Sequence, residues 1–381
     1  MSMRARYWPV MVLSASLPAN GFAVMDDKHA TPDFERVLGH QDRCYELSAS
    51  GSSNLPSELL LAGTSHSPGV TRVAEARSPF LLSVDLEGQS RELAFTAKTG
   101  RFLELRGAVR LSDDAIVVAG VTSEGQVLEL VDRTGKVTQT AKVAGDVNVR
   151  GMERGSANDF VVYGSLGSRP YYAGLNRSLA VMFERFPAGE AASGQVLKAR
   201  YAAGRDGLWI AVQQVEASAE KATVTLVKDD LLGNRIASTE VPSIYADFDE
   251  TPGGIALLYY TAVEGVQKIH VAYFDKTLGS GWQADPVQAR LGVAGPRIVG
   301  LKDKVLVVAA DEFKLVLAAL DLKGKALWTY HEEGPSLSPG GTYLMAHDGA
   351  HLLLAQPDRR GGDATHPAPD PSCTRIRVVR F

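Results

Sequence analysis

Short apolar runs recur along the chain at a nearly constant interval. They begin at residues 59, 116, 160, 208, 255, 305 and 351, so that successive starts differ by 57, 44, 48, 47, 50 and 46 residues. A run of this length and composition is typical of a buried β-strand. Because a four-stranded propeller blade uses roughly 40 to 50 residues, the spacing predicts seven copies of one four-stranded unit, with these runs as their anchors.

The turns inside the units have a common design. In several units an aspartate is followed three residues later by a glycine, as in Asp132 with Gly135 and Asp230 with Gly233. The aspartate can accept hydrogen bonds from the turn backbone, and the glycine can adopt the positive φ of a bulged hairpin. One carboxylate per turn is too few for calcium, which takes six to eight oxygen ligands. These positions therefore predict hairpins.

The pattern predicts an all-β chain, because no segment has a sustained helical period with a cap. We expect a seven-bladed β-propeller with four-stranded antiparallel blades. A pair of β-sandwiches is the alternative, but sandwiches do not require a constant four-strand period. The seventh unit lacks an outermost strand, and the extended segment from Phe34 to Leu38 can supply it. We therefore predict that the N-terminal strand closes the ring.

One unit resembles a known repeat. Residues 315–330 read LVLAALDLKGKALWTY, in which Asp321 and Gly324 form a turn before Trp328. This segment resembles the repeat of quinoprotein-type propellers, and residues 112–137 resemble generic bacterial propeller repeats. The resemblance implies the fold and no particular activity. Quinoprotein dehydrogenases commonly have an eighth blade and adjacent cysteines near the cofactor, and neither is visible in this sequence.

The N-terminus has the order of features found in a secretory signal peptide. Arg4 and Arg6 precede the largely apolar residues 7–17, and Gly21-Phe22-Ala23 offers a small-x-small cleavage site. The apolar run is shorter than the ~20 residues that span a bilayer. We predict a signal peptide at 1–23, a single propeller domain at 24–381, and a location in the periplasm or outside the cell. The alternative is a frayed N-terminus.

The distribution of charged residues limits the classes of partner that we expect. The chain has 381 residues, 45% of them hydrophobic, and 40 Lys plus Arg against 44 Asp plus Glu, which are interspersed. Without a basic stripe we expect no nucleic acid partner.

The two cysteines, Cys44 and Cys373, fall at connections that the propeller topology places on the same face. In an oxidising compartment they can form a disulfide, and the alternative is two unrelated thiols.

The sequence lacks the common catalytic signatures. It contains no Gly-x-Ser-x-Gly, no His-Glu-x-x-His and no phosphate-binding loop. His347, Asp348 and His351 are the best metal candidates, but Asp348-Gly349 indicates an ordinary polar hairpin. We therefore predict no metal and no cofactor. Polar residues on the predicted innermost strands can line the central channel: Glu104, Arg150, Asp247, Asp249 and Arg297.

Three connections between second and third strands are predicted to be long and to share one face: residues 64–79 in unit one, 167–177 in unit three and 357–373 in unit seven. They contain arginines and tyrosines, the residue types that dominate binding hot spots. Tolerated insertions are the alternative reason for such loops. The candidate binding residues are Arg72, Arg77, Arg169, Tyr171, Tyr172, Arg359 and Arg360.

These observations favour an exported, noncatalytic and monomeric propeller. We expect it to bind another protein through this loop-rich face, as an assembly or scaffold factor or as an immunity protein against a secreted toxin. The alternative is a propeller hydrolase or lyase that acts on a glycan or small ester at the central channel.

Overall fold

The computed structural model describes residues 32–38, 43–47, 58–67, 78–93, 95, 102–143, 147–188, 193–215, 222–263, 266–279, 281–289, 295–311, 314–332, 344–347, 351–358 and 375–381. These residues contain seven four-stranded antiparallel sheets and no helix. The predicted all-β, seven-bladed propeller is confirmed. The predicted signal peptide lies outside the described residues.

Each of the first six sheets is formed by four consecutive strands. The first sheet contains β2 (Cys44–Leu47), β3 (Glu58–His66), β4 (Ser78–Asp85) and β5 (Ser90–Leu93). The second contains β6 (Glu104–Ser112), β7 (Ala115–Thr122), β8 (Gly125–Val131) and β9 (Val137–Lys142). The third contains β10 (Val147–Arg154), β11 (Asp159–Leu166), β12 (Arg169–Asn176) and β13 (Val181–Arg185).

The remaining sheets repeat this order until the seventh. The fourth contains β14 (Gly194–Tyr201), β15 (Gly207–Val215), β16 (Ala222–Asp230) and β17 (Arg235–Val241). The fifth contains β18 (Ala246–Thr251), β19 (Gly254–Val263), β20 (Val266–Asp275) and β21 (Trp282–Ala289). The sixth contains β22 (Arg297–Gly300), β23 (Lys304–Asp311), β24 (Lys314–Asp321) and β25 (Ala326–His331).

The seventh sheet combines both ends of the described chain. Its order is β26 (Leu344–His347), β27 (Leu352–Asp358), β28 (Arg375–Arg380) and β1 (Phe34–Leu38). The N-terminal strand β1 pairs antiparallel with β28, from Phe34 opposite Arg380 to Leu38 opposite Ile376. It is thus the outermost strand of this sheet.

The core lies between the sheets. Seven clusters of buried apolar side chains each join two successive sheets, and one cluster joins the seventh to the first through Leu353 and Ile376 with Leu59 and Leu61. Both faces of the second strands are therefore buried. This explains why their sequences are continuous apolar runs instead of alternating ones.

The aspartate–glycine turns are confirmed. Gly88, Gly135, Gly233 and Gly324 have φ between 75° and 87°. Each of these glycines donates its N–H to the carbonyl of the aspartate three residues earlier, at 3.0 Å. The aspartate side chain accepts further backbone N–H groups, as Asp132 does from Thr134 and Lys136. These turns join the third and fourth strands of four sheets.

The third sheet departs from the prediction. Residues 167–177 were expected to form a long loop, and this is wrong. They contain β12, which pairs with β11 from Asp159 opposite Asn176 to Leu166 opposite Arg169. The apolar pattern predicts the strand after this loop at residues 179–184, and this segment instead overlaps the outermost strand β13. Pro170 and the flanking glycines gave this strand the composition of a loop, although tertiary packing buries most of it.

Candidate functional site

A cavity of about 230 Å³ lies at the centre of the ring. Its walls come mainly from the innermost strands of the second to sixth sheets. Of the five residues predicted to line the channel, Glu104, Arg150, Asp247 and Arg297 line this cavity, and Asp249 does not. The polar side chains of the wall are Glu104, Arg106, Asn148, Arg150, Glu153, Tyr163, Gln195, Lys198, Tyr245, Asp247 and Arg297.

The cavity lies toward one end of the channel. Most of its lining residues are at the beginnings of β6, β10, β14, β18 and β22. In an antiparallel four-stranded sheet this end also carries the connections between second and third strands. The predicted binding residues Arg72, Arg77, Arg359 and Arg360 fall within residues 68–77 and 359–374. These arginines lie outside the described residues, so their binding role stays a prediction.

Asp247 is the central anion of the cavity. Its Oδ1 lies 2.8 Å from Lys198 Nζ, and its Oδ2 lies 3.2 Å from Arg297 Nε. The backbone N–H of Ile298 also donates to Oδ2, at 3.0 Å. Burial by itself raises the pKa of Asp247, but Lys198 and Arg297 outweigh this effect and lower that pKa. The carboxylate is therefore held in its ionised form.

Asp249 makes a second, similar set of contacts farther along the channel. It forms an ion pair with Arg200, and its Oδ2 accepts the N–H of Gly300 at 2.9 Å. His347 Nε2 lies 3.7 Å from the same oxygen. Asp247 and Asp249 thus each connect β14, β18 and β22. A general base needs an oxygen that can reach a substrate proton, whereas these oxygens hold three sheets together.

The rest of the wall offers hydrogen-bond donors. Arg150 Nη1 donates to Gln195 Oε1 at 3.2 Å, and Arg106 Nη2 lies 3.0 Å from Glu104 Oε2. Burial raises the pKa of Tyr163 and of Tyr245, and Asp247 raises both further. Both phenols therefore remain protonated at neutral pH. Guanidinium and hydroxyl groups converge on this cavity, which is an arrangement suited to binding.

The predicted binding residues of the third sheet are not all at the surface. Tyr171 and Tyr172 are 5% and 1% exposed, so their prediction as surface contact residues is wrong. The Tyr172 hydroxyl donates to Asp229 Oδ2 at 3.1 Å. The Arg169 guanidinium lies 3.9 Å from the centre of the Phe186 ring. Strand β12 is buried on both faces, and this leaves Arg169 as the remaining described candidate.

A group of exposed apolar side chains near one pair of neighbouring sheets was not predicted from the sequence. It spans the outermost strands β13 and β17 and the turn before β17, and we call it the apolar rim. Arg185 at the end of β13 donates to the carbonyl of Leu232 at 2.9 Å, which joins the two sheets here. Two adjacent leucines in a turn were the signal available in the sequence. The apolar rim consists of Val181, Met182, Leu231, Leu232 and Ile236, which are 57%, 49%, 47%, 76% and 53% exposed.

The fifth sheet contains a hydroxyl–imidazole–carboxylate chain. Thr261 Oγ1 lies 2.8 Å from His270 Nε2, and His270 Nδ1 lies 2.6 Å from Asp285 Oδ1. Lys268 Nζ lies 2.6 Å from the other oxygen of Asp285. The His270 ring stacks on Tyr259 with 4.9 Å between ring centres. The chain ties β19, β20 and β21 together, and its histidine is buried, which favours a structural role.

Three further features concern metal binding, membrane insertion and the cysteines. Within the described ranges, no three His, Cys, Asp or Glu side chains are grouped to hold a metal ion. The same part of the chain holds no helix with the length and apolarity to cross a bilayer. Cys44 is buried, and Cys373 lies outside the described residues, so the disulfide stays a prediction.

Comparison with known proteins supports the fold alone. No protein-family model matches the chain, and no curated protein matches it. Hydrazine synthase of Kuenenia stuttgartiensis is similar in structure, with a TM-score of 0.55, 11% identity, and coverage of 85% of this chain and 95% of that one. The Dos1 propeller has a TM-score of 0.51 and 10% identity over 88% of this chain and 95% of its own.

A third similar structure is Drosophila Plexin A in complex with Semaphorin 1b. Its TM-score is 0.50, with 8% identity over 93% of this chain and 88% of that chain. The fold-level resemblance to propeller repeat proteins is thus confirmed, and at these identities it carries no activity.

Proposed function

We propose that this protein is an exported, noncatalytic β-propeller that binds another protein, and that the apolar rim is its contact surface. The main observation that supports this proposal is that exposed apolar side chains are concentrated on the apolar rim. Five of the nine large apolar residues exposed in the described part of the chain lie on this rim. Exposed apolar patches commonly mark protein interfaces, and these residues lie on the outermost strands of two neighbouring sheets or in the turn between strands of one of them.

The backbone of the rim supports the same proposal. Strands β13 and β17 each end the strand order of their sheet. An outermost strand presents backbone N–H and C=O groups to which a partner can add a strand. Arg185, whose guanidinium donates to the carbonyl oxygens of Glu184 and Leu232, places a positive charge beside the apolar side chains. A partner with an apolar centre and an acidic edge fits this surface.

The carboxylates of the channel support the noncatalytic part. Asp247 and Asp249 are engaged by cations and by backbone N–H groups of the next sheet. Such a carboxylate is poorly placed to transfer protons. The role as an assembly factor or as an immunity protein is part of this proposal, and identifying the partner distinguishes the two.

The test is affinity capture from a periplasmic extract with the tagged protein. Leu232→Glu combined with Ile236→Glu places two charges on the apolar rim without disturbing buried residues. We expect a stoichiometric partner to be lost from this variant. The matched control is Leu327→Glu, which alters an exposed residue of β25 in the sixth sheet. Equal recovery of the partner by both variants would contradict the proposal.

Export is tested separately. N-terminal sequencing of the protein recovered from the periplasm or medium is expected to begin after Ala23. A sequence that begins at Met1 would contradict the signal peptide.

A hydrolase or lyase is the second candidate, and the polar cavity is the observation that favours it. Its test is turnover of a panel of glycans and small esters by the wild-type protein and by Asp247→Asn and Asp249→Asn. Turnover that either substitution abolishes, in a variant that remains folded, would support this candidate over the binding protein.

A further inference from the structure

The central cavity has an excess of positive charge. Its wall contains the cations Arg106, Arg150, Lys198 and Arg297 and the three carboxylates of Glu104, Glu153 and Asp247. Farther along the channel, Arg200 and Asp249 form an ion pair. The wall therefore has one net positive charge, which a monoanionic ligand would neutralise.

Arg150 is the cation best placed to meet such a ligand. Lys198 and Arg297 are engaged by Asp247, and Arg106 by Glu104. Arg150 instead donates to the neutral amide of Gln195. A guanidinium is a planar donor that binds a carboxylate through two parallel hydrogen bonds. A ligand carboxylate can replace the Gln195 contact with a stronger, charge-assisted one.

The remaining wall suits hydroxyl groups. Tyr163, Tyr245, Asn148 and Gln195 provide neutral donors and acceptors around the guanidinium. The volume of about 230 Å³ is below the range of about 300 to 1,000 Å³ that holds drug-sized ligands. A molecule of about one sugar ring fits this space. A phosphate monoester is a poorer match, because it is close to dianionic at neutral pH.

We propose that the channel cavity binds a small hydroxylated monocarboxylic acid, of the size and chemistry of a single sugar acid, with its carboxylate on Arg150. This site is separate from the apolar rim, which lies on the outer strands of the third and fourth sheets. The ligand site therefore does not depend on the protein partner of the proposed function.

The experiment is isothermal titration calorimetry of the whole mature protein with four probes: glucuronate, glucose, acetate and glucose 6-phosphate. We expect glucuronate to bind. Glucose lacks the carboxylate, so it is expected to bind at least about 10-fold more weakly, which is the loss of one charge-assisted hydrogen bond. Acetate keeps the carboxylate but lacks the hydroxyls, so it is also expected to bind at least about 10-fold more weakly, because it loses several neutral hydrogen bonds to the wall. Raising the salt concentration is expected to weaken glucuronate binding.

Variants locate the site. Arg150→Met is expected to weaken glucuronate binding about 10-fold or more, and Arg150→Lys to restore part of it because the charge remains. Arg154→Met is the matched control, since Arg154 is on the same strand and donates to Ser156 O outside the cavity. The thermal unfolding midpoint of each variant shows whether it is folded. If Arg150→Met does not fold, the affinity of Arg150→Lys for glucuronate tests the site instead.

Three outcomes would overturn the proposal. One is no binding of glucuronate by the wild-type protein. Another is equal affinity for glucuronate in the wild type and in folded Arg150→Met. The third is tighter binding of glucose or of glucose 6-phosphate than of glucuronate, which would show that a single carboxylate is not what the cavity selects.

Discussion

Arg377 Nη2 lies 2.7 Å from Glu35 Oε2, so that the last of the described strands, β28, is bound to the first, β1, across 342 residues of sequence. The same guanidinium forms an ion pair with Glu332, which follows β25 of the sixth sheet. Arg377 is 1% exposed and Glu332 is 5% exposed. One buried cation therefore joins the N-terminal strand, the C-terminal strand and the neighbouring sheet.

We expect Arg377→Met to destabilise the protein strongly. The substitution leaves Glu332 buried without this cation, and breaking a buried ion pair in this way costs about 3–5 kcal/mol. The free energy of unfolding in urea measures the loss. Arg380→Met is the control on the same strand: its partner Asp33 is 45% exposed, at 3.0 Å, and a surface pair of this kind contributes about 1 kcal/mol or less. Equal losses in the two variants would contradict the central role of Arg377.

The ionisation of Asp247 is expected to make the free energy of unfolding depend on pH. Burial opposes ionisation of this carboxylate, but Lys198 and Arg297 prevail and lower its pKa in the folded state. The unfolded chain has an aspartate pKa of about 3.9, so the folded state binds its proton less readily. The stabilisation is complete above about pH 4 and is lost as the pH falls through the lower folded value.

Asp247→Asn is expected to cost about 3 kcal/mol at pH 7, because Lys198 loses its buried partner. The difference from the wild type should shrink below about pH 4. Unfolding in urea at pH 7 and pH 3 measures both values. Asp206→Asn serves for comparison, since Asp206 is 60% exposed beside Lys228, and its effect at pH 7 should stay under about 1 kcal/mol. A loss for Asp247→Asn that does not change with pH would be inconsistent with this explanation.

We expect Tyr172 to stabilise the folded protein and not to contact a protein partner. Tyr172→Phe removes the hydroxyl that donates to the buried Asp229, which should cost about 1–2 kcal/mol. Tyr171→Phe is the matched control, because its hydroxyl makes a longer bond of 3.3 Å to Glu184, and its cost should be smaller. Thermal or urea unfolding gives both values. Partner capture by Tyr172→Phe should equal that of the wild type, and loss of the partner without loss of stability would reverse this interpretation.

The Cys44–Cys373 disulfide is predicted from topology and compartment. A cross-link over this length of chain should stabilise by ~5 kcal/mol through chain entropy, less any strain. Thiol titration of the unfolded, unreduced protein is expected to detect no free thiol. Two reactive thiols per chain would refute the disulfide. Reduction should lower the unfolding midpoint of the wild type and leave that of Cys44→Ser unchanged.

Sequence reasoning predicted the repeat because the physics of a propeller is repeated in each unit. Every second strand is buried between two sheets and is therefore apolar, and four turns use glycine at positive φ. The turn between the third and fourth strands of the third unit does not have the aspartate–glycine pattern in the sequence. Asn176 accepts the N–H groups of Ser178 and Ala180, and Leu179 takes the positive φ of 57°. Because asparagine and leucine replace aspartate and glycine, β12 was mistaken for a loop.

The site was less predictable than the fold. The channel residues Arg150, Asp247 and Arg297 could be located from their positions on innermost strands. Their pairing could not, because Lys198 and Asp247 come from different sheets and meet only when the ring forms. The apolar rim is also a property of neighbouring sheets. In the sequence, Met182 is an ordinary outer-strand residue and Leu232 an ordinary turn residue. Their sheets are joined only in the folded ring, where Arg185 donates to the carbonyl of Leu232.

The strand order of the seventh sheet sets the time at which the protein can finish folding. Among the described strands, its outermost strand β1 is made first during synthesis, but its partner β28 is made last. Six sheets can pair their strands as the chain lengthens, whereas the seventh must wait until residues 375–380 have been made. A chain truncated before residue 375 would therefore lack the neighbour of β1, leave β27 as an open edge, and remain vulnerable to aggregation and proteolysis.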